Sequence, residues 1–179
     1  RRYPGLYWNC LISILASSFL VTGLALTGIF QLQPWFTPQY LIPLLGMVLG
    51  NTLNGISLAL DRFLDDLQKQ RDLVETRLCL GASAWEASHD LLRSALRTGL
   101  IPSINSMAVM GVVSLPGMMT GQILAGVSPG EAVRYQMVIF LMSTAAATLG
   151  TVIVLRLAFR MLFSARHQLL LNRLSTKQD

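Results

Sequence analysis

The 179-residue chain is 53% hydrophobic and 13% charged, about half the charged share of an ordinary soluble domain. That composition puts it in the membrane class, and a net charge of +5 has to be assigned to loops before it implies an acidic partner. Two cysteines, Cys10 in an apolar run and Cys79 in a charged one, supply neither a disulfide framework nor a Cys-rich metal site.

Crossing a hydrocarbon core takes about 20 mostly apolar residues in a helix, because lipid leaves no partner for an open backbone group. Four stretches meet that length: residues 8–30, 40–60, 99–126 and 135–158. The first has no charged residue and opens on Trp8, a fitting interfacial anchor. Gly46, Gly50, Asn51, Asn54 and Gly55 interrupt the second. The third contains Pro102, Asn105, Gly111, Pro116, Gly117 and Gly121, and the fourth reads as cleanly apolar.

Between the second and third stretches lies residues 61–97, which hold seven of the nine Asp and Glu residues. Cytoplasmic flanks collect Lys and Arg. With Arg1 and Arg2 inside, residues 61–97 and the tail from Arg160 are also inside, and Arg134 alone among the basic residues is outside. The basic tail reads as a flank near anionic lipid rather than a nucleic-acid site. The expected fold is all-α: a polytopic membrane helical bundle forming one permease domain over residues 1–179, with four transmembrane helices and a long cytoplasmic helical coupling loop.

In the charged segment, Leu60, Phe63, Leu64, Leu67, Arg71, Val74 and Leu78 fall at helical spacing, and Asp65 with Lys69 and Arg71 with Glu75 stand at i, i+4. A break at Leu80-Gly81-Ala82 follows, then a second helix capped by Ser83 with Glu86 completing a capping box. Residues 75–87 resemble the cytoplasmic coupling loop of ABC transporter permeases, with Glu75, a glycine six residues on at Gly81, and Ala82. They lack the importer proline, Arg93 and Ser94 standing in its place. The resemblance implies docking onto a nucleotide-binding subunit through Glu75, Leu80, Gly81, Ala82, Ser83 and Trp85. No P-loop is present, so ATP and Mg are expected on that partner, with no cofactor on this chain and no enzymatic activity of its own. No Ser, His and Asp arrangement suggests hydrolysis, and His89 and His167 read as surface residues.

The run Val113-Ser114-Leu115-Pro116-Gly117-Met118-Met119-Thr120-Gly121-Gln122, together with Ile42-Pro43-Leu44-Leu45-Gly46-Met47, Gly50-Asn51 and Ser164-Ala165-Arg166-His167, resembles the FetB-type iron-export permease family. Its members usually carry further spans before the point where this chain starts, so the resemblance implies a missing N-terminal portion. It also implies iron as cargo and a bacterial plasma (inner) membrane. A permease with this few spans is expected to form a homodimer to enclose a path, matching two ATPase subunits.

Pro116 and Gly117 loosen the third stretch at mid-span, a place where transporters bind substrate. The candidate path is Asn51, Ser114, Pro116, Gly117, Met118, Met119 and Gln122. Met118 and Met119 are either gap fillers or soft metal ligands. Asn54 and Ser57, with Gly46-x-x-x-Gly50, read as interhelical packing. No carboxylate lies at depth for a hard-metal site. Two other functions fit the same features: a permease for a nucleotide sugar or other organic solute, and a non-transporting membrane scaffold whose loop docks a cytoplasmic partner.

Overall fold

The computed structural model describes residues 5–28, 38–109, 116–164 and 169. Six helices follow one another: α1 Leu6–Gly28, α2 Pro38–Lys69, α3 Arg71–Cys79, α4 Ala84–Val109, α5 Gly117–Leu124 and α6 Pro129–Leu162. The all-α expectation holds for the described residues, the one extended pairing being an isolated bridge between Phe163 and Leu169. Among the described residues, three helices are long and apolar enough to cross a membrane: Leu6–Gly28, Leu41–Lys69 and Pro129–Leu162. The chain is an integral membrane protein.

The span expected over residues 99–126 is not one helix. Gly99 lies in the middle of α4, which begins in the charged segment and ends at Val109. Pro116 is extended, at φ −60° and ψ 135°, and caps the eight-residue α5. A proline has no N–H to give an incoming helix and disfavours the helical conformation in the residue before it. Ser114 falls outside the described residues, as do the outer loop before α2 and nearly all of the basic tail.

α2 runs unbroken through residue 60 to Lys69, and α4 runs unbroken through residue 98. At 32 and 34 residues, α2 and α6 are about 48 and 51 Å long and overshoot a hydrocarbon core of about 30 Å. The charged segment thus continues the helices past their apolar stretches, with α3 as a short added helix. α6 likewise carries Arg156 and Arg160 in its last turns, so the fourth expected stretch is not apolar to its end.

Most of the core lies in that overshoot. Phe63, Leu67, Val74, Ala87, Leu91, Ala95, Ala158 and Leu162 are buried together where α2, α3, α4 and α6 meet. The stripe read from the sequence faces inward at Leu60, Phe63, Leu64, Leu67 and Val74, while Arg71 points to solvent. Burying Phe63 or Leu67 stabilises this end by roughly 1.5–3 kcal/mol each.

Deeper in, glycines set the helix spacing. A methyl on Gly99 would come within 2.8 Å of Ala59 Cβ and of the Gly55 carbonyl oxygen, which locks α4 onto α2 beside Thr151 of α6. A methyl on Gly150 would meet Ser17 Oγ and Thr52 Cγ2, each at 2.8 Å, where α1, α2 and α6 converge. Gly46 and Gly50 have nothing near their missing Cβ. The close-packing glycines are thus Gly55, Gly99 and Gly150, and the Gly46-x-x-x-Gly50 face is open.

Candidate functional site: the α3–α4 corner and the polar faces of the bundle

The corner between α3 and α4 is built entirely by local rules. Gly81 adopts φ +92°, a left-handed conformation that costs a residue with a Cβ 1–2 kcal/mol or so. That turn lets Gly81 N–H donate to Leu78 O at 3.1 Å and Ala82 N–H to Arg77 O at 3.1 Å, the Schellman closure of a helix end. Two residues on, Ser83 starts α4. Its N–H and hydroxyl donate to Glu86 Oε2 at 2.8 and 2.7 Å, and Glu86 N–H donates back to Ser83 Oγ at 3.3 Å. These bonds favour the ionised form and hold the Glu86 carboxyl below the ordinary glutamate range, the hydroxyl contributing most.

Among the described residues, one ion pair ties the corner together and three lie within single helices. Arg71 Nε donates to Glu75 Oε1 and Lys69 Nζ to Asp65 Oδ2, both at 2.8 Å, as the spacing predicts. Arg62 Nε also reaches the largely buried Asp66 at 2.8 Å. Arg77 Nη1 reaches across to Asp90 Oδ2 at 3.1 Å and ties α3 to α4. The Arg77–Asp90 pair joins residues thirteen apart and no helical spacing announces it.

At the tip, Leu80 is 83% exposed and Trp85 50% exposed. Trp85 stands edge-on to Phe159 of α6, with ring centroids 5.9 Å apart. The expected docking residues lie around one corner: Glu75 on α3, Leu80, Gly81 and Ala82 at the turn, and Ser83 with Trp85 opening α4. A large apolar side chain held out by a braced backbone corner is suited to seating in a partner's groove.

The residues expected on a path divide into two groups. Asn51, Asn54 and Ser57 are exposed on the side of α2 that also carries Gly46 and Gly50, so they do not glue this chain's own helices together. Pro116 and Gly117 start α5, which rests on α6, and Gln122 lies half-buried near its end. Met119 is buried, and Met118 packs against the cluster of Leu26, Leu44 and Ile139.

A polar seam runs where the sequence suggested only apolar helix. Ser18 and Thr22 of α1, Thr52 of α2, and Gln136 and Ser143 of α6 are buried, and their side-chain polar atoms have no hydrogen-bond partner among the described residues. Neighbouring Ser13, Ser17 and Thr151 instead bond back to the carbonyl four residues before them, each at 2.7 Å. Each unpaired buried group costs roughly 1–3 kcal/mol. The available signal was the four-residue spacing of Ser13 with Ser17 and of Ser18 with Thr22, which average hydropathy conceals.

The family described as "Uncharacterised protein family (UPF0014)" matches residues 1–163. The chain belongs to the UPF0014 family. It is 44% identical over 169 residues to the UPF0014 membrane protein slr1647 of Synechocystis, covering 94% of this chain and 65% of that protein. It is 36% identical over 142 residues to the probable iron export permease protein FetB of Escherichia coli, covering 79% of this chain and 55% of FetB. It is 37% identical over 159 residues to the protein ALUMINUM SENSITIVE 3 of Arabidopsis thaliana, covering 88% of this chain and 57% of that protein. The UPF0014 chain thus spans somewhat over half the length of these relatives. No solved structure matches it.

Proposed function

We propose that this UPF0014 chain is the membrane-spanning permease half of an ABC-type transporter of a bacterial plasma membrane, exporting a metal ion such as iron. The observation that carries the reading is the α3–α4 corner, a capped turn tied by the Arg77–Asp90 pair that leaves Leu80 exposed at its tip with Trp85 half-exposed beside it. Its kinship with a protein named as a probable iron export permease supports the cargo. ATP and Mg act on a separate cytoplasmic subunit that receives this corner. Because α4 is continuous from the corner to Val109, motion of the ATPase passes straight into the bundle with no loop to absorb it.

A second copy of the permease completes the path. Asn51 and Asn54 on an open face of α2 are costly against lipid tails, and a facing copy turns that face into a polar lining. Pro116, Gly117, Met118, Met119, Gln122 and Ser114 supply the break beside it, with the two methionines as soft ligands for the passing ion. The cargo is held by neutral oxygens and thioethers and is pushed by the ATPase rather than by a proton relay.

The test is reconstitution of the full-length protein with its candidate ATPase, with metal efflux and metal-stimulated hydrolysis followed for Fe(II), Mn(II), Zn(II) and Cu(I). The expected result is stimulation by at least one ion, abolished by Gly81→Asp or Glu75→Lys together with ATPase binding. An unchanged hydrolysis rate with every ion would overturn metal export, and intact coupling in both variants would overturn the role of the corner.

A further inference from the structure

A groove of about 430 Å³ opens on the flank of the bundle between α4 and α6, bounded by Trp85, His89, Arg93, Leu96, Val152 and Arg156. Its walls are mainly apolar, yet it holds two guanidinium groups. Counting along each helix from the Gly99–Thr151 contact, Arg93 lies about 9 Å and Arg156 about 7.5 Å toward the corner, at a rise of about 1.5 Å per residue. The two cations therefore share one level on facing helices.

That level is where charge begins on α2, α4 and α6. Asp61 and Arg62 on α2, Arg93 and Arg97 on α4, and Arg156 on α6 are the first charged residues met on leaving the apolar zone. Neither Arg93 nor Arg156 has an ion pair among the described residues. The acids nearest in sequence are already engaged, Asp90 with Arg77 and Glu86 with Ser83. Two unneutralised guanidiniums at the membrane surface, above an apolar cleft leading toward the lipid tails, match the two ends of an anionic phospholipid. Arginine forks grip phosphate oxygens in pairs, and basic pockets between membrane helices on the cytoplasmic side take anionic headgroups.

We propose that the α4–α6 groove is a binding site for one anionic phospholipid, its headgroup phosphate between Arg93 and Arg156 and an acyl chain along Leu96 and Val152. The inference rests on the membrane placement of the bundle adopted above, and not on transport or cargo. The lipid bridges α4, which starts at the corner, and α6, which ends beside it.

Native mass spectrometry of the detergent-purified full-length protein tests the site by titration with dioleoylphosphatidylglycerol and, separately, dioleoylphosphatidylcholine. The expected result is one phosphatidylglycerol retained per copy at about tenfold lower concentration than phosphatidylcholine, a preference lost in R93Q/R156Q and kept in the charge-matched K69Q/R134Q. Val152→Trp fills the apolar wall while leaving both cations, so it too weakens phosphatidylglycerol, and sodium phosphate does not displace the lipid. Equal retention of both lipids, or equal loss in K69Q/R134Q, would reduce the effect to diffuse charge and overturn the site. Unaltered binding by Val152→Trp, or displacement by sodium phosphate, would make free phosphate the ligand and overturn the lipid. Each variant is also scored for ATPase-subunit binding, so loss of lipid selectivity and failure of the permease reading register separately.

Discussion

Glu86 does its work as an anion. Its carboxylate accepts two bonds from Ser83 and starts α4, and its lowered pKa means that this contribution is fully present above the ordinary glutamate range. It is lost as pH falls through the lowered value. Hydrogen exchange at the Ser83 amide reads this directly: protection drops on acidification into the lowered range, and Glu86→Gln removes most of that pH dependence. Protection that stays flat across the range would mean the cap is held by something else. Ser83, Glu86 and Gly81 could be read from the sequence because capping and left-handed turns are decided within a few residues. Arg77 could not, since its partner Asp90 is brought close only by the turn. Nor could the orphaned hydroxyls of Ser18, Thr22 and Ser143, whose loss of partners depends on which face of each helix turns inward.

Among the helices, small residues told where close approach was possible but not where it occurs. Gly46 and Gly50 have the familiar spacing, yet the helices close instead at Gly55 of α2, Gly99 of α4 and Gly150 of α6. Gly99→Ala is expected to force α2 and α4 apart and destabilise the bundle by roughly 1–3 kcal/mol, because the obstacles are backbone and a Cβ that cannot swing aside. Gly46→Ala leaves the melting temperature of the single chain where it is. Thermal melting in detergent separates the two, and equal melting temperatures for both variants would contradict the assigned contacts. A second lesson comes from the corner after α5. Gly126 at φ +90° and Ser128 as cap repeat the Gly-x-Ser-x-x-Glu spacing of Gly81, Ser83 and Glu86. That motif therefore marks a helix-to-helix turn, and the special features of the α3–α4 corner are its ion pairs and its exposed Leu80 and Trp85.

The whole bundle is lopsided. Its larger core is at the charged end, while its membrane zone carries an open polar face on α2 and a buried seam of unpaired hydroxyls. The helix-rich membrane architecture was legible because apolar length is a property of each segment alone. The division of residues 99–126 was not, because Pro116 and the continuous α4 split that apolar run in a way its composition does not show. In a background with Cys79 replaced by serine, Asn54→Cys in native membranes is expected to form a disulfide with a second copy, whereas Leu141→Cys on the outer side of α6 is not. Equal crosslinking at both positions would mean random collision.

The Gly99 contact has a mechanical meaning as well. It sits fifteen residues from Ala84 and ten from Val109, so α4 has arms of about 22 and 15 Å on either side of its tightest crossing. Treated as a rod on that fulcrum, α4 swings its far end opposite to the push at Trp85, by about two-thirds of the distance. In the transporter proposed above, a see-saw of this kind is what would shut one side of the path while parting the other.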